Sequence, residues 1–452
     1  IALVVRLGYI QLIKGEEYRK QAMENWSRDI TISAKRGTIY DAKGKKLAVS
    51  INSNTVTCFP ADVKKSVKPA IDNTENEDDS ILTAILKKLN RTMFTEETQA
   101  EQIPLNTKTP EEIAAILSEI LEMEYEEVLQ KITSNYNYVV LKKWITDEQA
   151  QKIREQELSG ISIIEDNKRV YPYGNFAPYV LGFTNIDQDG LYGVEATYND
   201  YLTGIPGRTV VNTDAYGREL PFGYNEYYES KDGSGVVLTM DEVIQHYAES
   251  AAEKVMADYN AIRATIIVMD PNTSDVLAMT SKPDYDPNDP RIPIDANIQA
   301  QWETLSNEEL QNAWFDMWRN PAVNDVYEPG STFKLITTAT ALEENAATLN
   351  STYFCDGYVR QITSHNIKCW RYYRPHGSQT LSEAIQHSCN DALAQIGLDI
   401  GKDAFYKYLK AFGFEEQSGI MLNGEALGIV KKPEYMKDVD VVTQAFGQGI
   451  AV

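Results

Sequence analysis

A chain of 452 residues, 43% hydrophobic and 24% charged, has ample material for buried cores and exceeds one ordinary domain. Its formal charge of -23 argues against nucleic acid, whose binding needs a positive face, and against broad adhesion to an anionic membrane surface. Three of the four cysteines gather at Cys355, Cys369 and Cys389, with Cys58 far away, which suggests a local bridge or metal site rather than a disulfide framework.

The first segment, Ile1-Ala2-Leu3-Val4-Val5, is apolar, and Leu7, Ile10, Leu12 and Ile13 continue that character past Arg6. Five residues cannot cross about 30 Å of hydrocarbon, a task for about 20, so the stub is expected to be the end of a membrane anchor. Residues 16–25 predict a helical stem leading to Trp26, and 1–25 is read as anchor end plus stem. Residues 28–56 then alternate as strands, broken by turns at Arg36-Gly37 and Ala42-Lys43-Gly44. An acidic run at 72–79 predicts a solvated loop. An amphipathic helix is expected at 81–89. Thr109-Pro110-Glu111-Glu112 and Thr146 to Gln149 are capping boxes that open two more, the first with an apolar stripe at Ile113, Ile116, Leu117 and Ile120. These helices form an insertion of about 80–157 within a first domain spanning 26–230.

Short strands resume after Gly160, and Lys231-Asp232-Gly233-Ser234-Gly235 is a polar hinge before a second domain, 236–452. There a helix is expected over 241–256, followed by a hairpin of 264–269 and 275–279 around Asp270-Pro271-Asn272-Thr273. Strands, helices, strands, then hairpin plus helices make an α+β fold rather than a doubly wound sheet.

Ser331-Thr332-Phe333-Lys334 follows the chain-breaking Pro329-Gly330, so Ser331 should open a helix, near unpaired N–H groups and the positive dipole end. Residues three apart share a helical face, which would set the Lys334 amine against the Ser331 hydroxyl; a desolvated lysine can take that proton. Ser-x-x-Lys alone is a weak pattern. Downstream, Ser388-Cys389-Asn390 sits between a helix capped by Thr380 and Glu383 and a second helix, and offers a further hydroxyl and an amide.

The flanking sequence is more specific. The run Trp318-Arg319-Asn320-Pro321-Ala322-Val323-Asn324-Asp325-Val326-Tyr327-Glu328-Pro329-Gly330 leads into Ser331. It resembles the active-site segment of class B penicillin-binding proteins. Arg36-Gly37-Thr38-Ile39-Tyr40-Asp41, Gly44-Lys45-Lys46-Leu47-Ala48, Arg169-Val170-Tyr171-Pro172 and Gly190-Leu191-Tyr192-Gly193-Val194-Glu195 resemble that family's N-terminal motifs, in order. The resemblance implies a single-pass membrane anchor, an elongated pedestal (dimerisation) domain, and a transpeptidase domain of antiparallel sheet with helices, outside the cytoplasmic membrane. It implies Ser331 as the acyl-forming nucleophile, Lys334 as its base, Ser388 as proton relay and Asn390 as the amide that orients peptidoglycan stem peptides. β-Lactams would be covalent ligands, a glycosyltransferase of the wall-synthesis complex a partner, and no cofactor would serve the chemistry. The family's Lys-Thr/Ser-Gly motif does not follow Asn390, so the catalytic domain is expected to be incomplete at its C-terminal end.

Cys355, Cys369, His376 and Cys389 form a second constellation, with His365 and Asp356 in reserve and His387 and His246 read as ordinary helix residues. Its spacing is not that of a zinc finger or ribbon; a structural zinc, a Cys355–Cys369 disulfide and plain buried thiols all remain open. The aromatic cluster Trp370, Tyr372 and Tyr373 is expected to pack, with lining of a substrate cleft as the alternative. A β-lactamase would share the two serine motifs but would not need so large an N-terminal domain, and a silent scaffold would not acylate.

Overall fold

The computed structural model describes residues 14, 27–65, 108–212, 226–362 and 366–452. The apolar stub, the stem helix, the acidic loop, the expected helix at 81–89 and His365 lie outside the described residues. None of the described helices is long and apolar enough to cross a membrane. Contacts divide the chain into two interleaved units: residues up to 40, 46–172 and 200–237 in one, and 41–45, 173–199 and 238–452 in the other.

The first unit is built on one long strand. Strands β1 (Ser27–Ile32), β2 (Ile39–Tyr40) and β3 (Lys46–Cys58) fall in the stretch expected to be strands, separated where the turns at Arg36-Gly37 and Ala42-Lys43-Gly44 were expected. β3 pairs antiparallel with β2, with β4 (Val139–Ile145) and with β5 (Ile161–Val170), the last in unbroken register from Val49↔Val170 to Cys58↔Ile161. β6 (Gly207–Asn212) joins β1 to β7 (Glu226–Tyr228) in a second, antiparallel sheet, and β8 (Val236–Val237) runs parallel to β2. Helices α1 (Pro110–Leu121), α2 (Tyr125–Ile132) and α3 (Asp147–Glu155) cover the β3 sheet. Both predicted capping boxes form, Thr109 with Glu112 and Thr146 with Gln149, each satisfying two backbone N–H groups. Of the predicted stripe, Ile113 and Leu117 are fully buried, joined by Leu121, and meet Val56, Leu141 and Ile145 in the core, while Ile116 and Ile120 are only partly buried. The region expected to be helical thus contains a strand. Leu141 and Ile145 face the same side at even spacing, which is period-two burial.

The long C-terminal stretch of the second unit opens with α4 (Glu242–Tyr259), where Asp241 accepts the N–H groups of Val243 and Ile244. β9 (Ala264–Met269) and β10 (Val276–Lys282) form the predicted antiparallel hairpin. Gln245 locks helix to hairpin, since its amide donates to the Met279 carbonyl and accepts the Met279 N–H. Then come α5 (Lys334–Glu343), β11 (Thr352–Cys355) paired with β12 (Gly377–Thr380), α6 (Leu381–Gln386), α7 (Asn390–Ile400), α8 (Lys402–Ala411) and α9 (Asp438–Gln444). Phe333, Leu393, Ile396, Phe405, Val442 and Phe446 make the core between these helices. This core holds α5 and α7, the two helices that begin at Lys334 and Asn390.

Candidate active site

Ser331 lies in a 3-10 turn, Gly330–Phe333, that runs directly into α5. The sequence suggested the first turn of an α-helix there; the structure has a tighter turn, of the kind common at helix N-termini, and Gly330 enters it at a left-handed φ of 61°, a conformation that suits glycine. Two contacts fix the turn. Phe333 is buried against Phe405 and Phe414, with ring centroids 6.2 and 5.4 Å away. Gly447 accepts the Gly330 N–H at 2.9 Å, and a Cβ on Gly447 would stand 2.0 Å from the Gly330 carbonyl oxygen, so no larger residue fits.

Lys334 is only 2% exposed. Its Nζ donates to the Ser388 carbonyl at 2.8 Å, to Ser388 Oγ at 2.9 Å and to Asn390 Oδ1 at 2.7 Å. It does not donate to Ser331, as the helical-face argument had expected. Ser388 Oγ instead donates to Ser331 Oγ at 3.0 Å, so the lysine reaches the hydroxyl through Ser388. None of the partners of Lys334 is a carboxylate. Burial therefore dominates and pulls the amine down to about 8, against a smaller upward pull from Cys369 and Cys389.

Ser388 and Asn390 are presented by the junction of α6 and α7. The predicted capping box of Thr380 with Glu383 starts α6, and Cys389 caps α7 by accepting the Ala392 N–H. Ser388 has a φ of 50°, rare for a residue with a Cβ. All four residues singled out from the two serine motifs are thus joined in one hydrogen-bonded chain.

Two features of the site were missed in the sequence. Gly447 is one, because its role is a backbone contact across the fold. The other is Trp370, whose indole N–H donates to the His387 carbonyl at 3.2 Å and the Ser388 carbonyl at 3.1 Å. The aromatic cluster does not pack inward as expected: Trp370, Tyr372 and Tyr373 are all exposed.

The second constellation also assembles. Cys355, Cys369 and Cys389 are buried free thiols, and their sulfurs and a His376 ring nitrogen all lie within 4.8 Å of one another. Cys369 Sγ is 3.9 Å from Cys389 Sγ and 3.7 Å from His376 Nδ1. The hydrogen bond from Cys389 drives the Cys369 thiol toward the thiolate. Burial opposes it, and the N–H groups of Arg371, Asn390 and Asp391 assist. His376 Nε2 is buried with no hydrogen-bond partner among the described residues. Three sulfurs and one imidazole make the four-ligand set that suits a tetrahedral Zn²⁺ site. Asp356 is instead paired with Arg360 at 2.9 Å, His387 stacks on the His376 ring with centroids 5.5 Å apart, and His246 is on the surface of α4.

Comparison with known proteins matches both units. Residues 264–452 match the penicillin binding protein transpeptidase domain, and residues 31–238 the penicillin-binding protein dimerisation domain. The chain belongs to the class B penicillin-binding proteins. It is 33% identical over 447 residues to stage V sporulation protein D of Bacillus subtilis (strain 168), covering 99% of this chain and 60% of that protein. It is 25% identical over 452 residues to the peptidoglycan D,D-transpeptidase FtsI of Escherichia coli (strain K12), covering all of this chain and 66% of that one. The fold is similar to the solved complex between PBP2 and MreC from Helicobacter pylori, with a TM-score of 0.67 at 21% identity, over 94% of this chain and 74% of that one. The chain thus spans roughly 60 to 66% of the length of these two sequence relatives.

Proposed function

We propose that this chain is the greater part of a peptidoglycan D,D-transpeptidase that works through a serine acyl-enzyme and is acylated by β-lactams. The observation that carries the reading is a buried lysine, Lys334, hydrogen-bonded only to neutral oxygens and linked through Ser388 to the Ser331 hydroxyl. When Lys334 is neutral, the same contacts run in the opposite donor sense: Ser331 donates to Ser388 Oγ, and Ser388 donates to Nζ. Ser331 Oγ attacks the carbonyl of a D-Ala-D-Ala peptide bond, and its proton passes through Ser388 to Lys334. The tetrahedral centre collapses to an ester on Ser331, and the proton returns through Ser388 to the departing D-alanine amine. An amine of a neighbouring strand then attacks the ester and gives up a proton through Ser388 to Lys334, and as the ester bond breaks that proton returns through Ser388 to Ser331 Oγ. Asn390, whose Oδ1 is fixed by Lys334, orients the donor peptide.

Domains follow the same reading: an anchor end and stem over 1–25, a pedestal over 26–230 and the transpeptidase domain from 236 onward. The active face is extracytoplasmic, and a glycosyltransferase of the wall-synthesis machinery supplies the strands. We further assign Cys355, Cys369, His376 and Cys389 to a structural zinc, which would supply no reaction step. Cys389 lies between Ser388 and Asn390, so the ligand set would brace the turn that carries both. Elemental analysis should find one zinc per chain; a mass two hydrogens below the all-thiol value, with no zinc, would decide for a disulfide.

The functional reading is tested by treating the full-length protein with a labelled penicillin and mapping the adduct. The label is expected on Ser331 and should vanish in Ser331→Ala; an adduct on another serine would overturn the assignment.

A further inference from the structure

We propose that Trp370 is a positioning residue for acylation, holding the turn that carries Ser388 through its indole N–H. The inference rests on the reading of Ser331 and Lys334 above. An exposed tryptophan placed only for packing has no reason to aim its single polar hydrogen inward. Trp370 is 53% exposed, yet its Nε1 sits 3.1 Å from the Ser388 carbonyl and 3.2 Å from that of His387. Both of these carbonyls belong to the junction between α6 and α7. The Ser388 carbonyl is also the acceptor for Lys334 Nζ at 2.8 Å, so one oxygen takes both the indole and the base.

This junction needs holding. Ser388 sits at a left-handed φ of 50°, which a residue with a Cβ keeps only where its surroundings over-determine it. The capping box of α6 and the Cys389 cap of α7 fix the helices on either side, but neither bonds to the Ser388 carbonyl. Trp370 and Lys334 supply that restraint. The ring itself is steadied at its edge by His376, with centroids 5.8 Å apart. A turn released from the indole would let Ser388 Oγ drift from the line between Ser331 and Lys334. Proton relay falls steeply with such misplacement.

The test separates the N–H from the ring. In the full-length protein, Trp370 is replaced by 3-benzothienylalanine, where sulfur stands for the N–H, by 5-fluorotryptophan, a stronger donor, and by Trp370→Phe. Acylation of Ser331 by a fluorescent penicillin is timed for each, with the melting temperature as control. The benzothienyl and Phe variants should acylate about fivefold more slowly, the factor expected for one lost hydrogen bond. The fluorinated variant should match or exceed the parent, and melting temperatures should stay together. Equal rates across the series would overturn the role of Trp370 while leaving Ser331 as nucleophile. So would rates that follow melting temperature instead of donor strength. A parent that is never labelled on Ser331 would overturn both.

Discussion

Two lysines of the second unit are almost equally buried and have opposite fates. Lys282 is 5% exposed and Lys334 is 2% exposed. Lys282 Nζ lies 2.7 Å from Asp284 and 2.8 Å from Glu253. Burial works against its charge, but hydrogen bonds to the two carboxylates outweigh it and its pKa rises above the ordinary lysine value. Asp284 is also held above its usual range, because its own burial outweighs the help of Lys282. We take Lys282 as the cation of the cluster, since it has two carboxylates and the exposed Glu253 needs little desolvation. Lys334 has the same burial but only a carbonyl, a hydroxyl and an amide oxygen as partners, and its pKa falls to about 8. Depth does not decide whether a buried lysine is a strut or a base. The charge of its partners does.

The largest expected effect separates the two roles. Lys334→Met should slow acylation of Ser331 by about 10²–10⁴, the range for loss of a general base. The same variant should melt no lower than the parent. In the folded protein Lys334 is depressed below its unfolded value of 10.5, so the unfolded chain binds the extra proton between about pH 8 and 10.5. Stability therefore rises with pH across that window, and below it the ammonium costs about 3 kcal/mol. A large fall in melting temperature would show that Lys334 is a structural cation like Lys282.

Lys282→Met should do the reverse. It leaves Asp284 buried without its cation, a loss of about 3 kcal/mol. Melting temperature should fall by roughly 10 °C for a unit of this size, with acylation by the folded protein within about twofold of the parent. Because Lys282 is raised in the folded state, the stability it confers is fully present below pH 10.5 and lost as pH rises through its folded pKa. Unchanged melting would remove the contrast.

A smaller change should convert one site toward the other. Asn390→Asp places a carboxylate 2.7 Å from Nζ, where Asn390 Oδ1 now accepts. The lysine should then hold its proton to higher pH, by the one unit or more that an adjacent opposite charge typically brings, and acylation at pH 7 should fall about tenfold or more. Recovery of rate above pH 9 would identify the cause as protonation; no recovery would point to lost amide geometry.

How much of this was readable in the sequence follows from the range of each interaction. The capping boxes at Thr109, Thr146 and Thr380 were readable because a box is closed within four residues. The hairpin of β9 and β10 was readable for the same reason. Ser331, Lys334, Ser388 and Asn390 could be singled out by spacing and by resemblance to a family. The order of their hydrogen bonds could not, because Ser388 reaches Ser331 across 57 residues of chain through the packing of α5 on α7. Helical periodicity described Lys334 as facing Ser331, whereas the 3-10 turn and the buried acceptors of the α6–α7 junction drew the amine away. Lys282 gave no signal at all: a lysine closing an apolar strand reads as a solvated end until Asp284 and Glu253 are seen beside it. Trp370 was placed with the packing aromatics because indole hydrogen-bonding depends on carbonyls that no local pattern reveals.

The account depends above all on the neutral amine of Lys334, and the pH dependence of acylation reads it directly. The rate of Ser331 labelling by a penicillin, followed in the full-length protein from pH 6 to 11 with folding checked at each point, should rise with pH and reach half its plateau at about pH 8. A half-rise near 10.5, the ordinary value for a lysine, would contradict the account, because Lys334 would then be as firmly charged as Lys282.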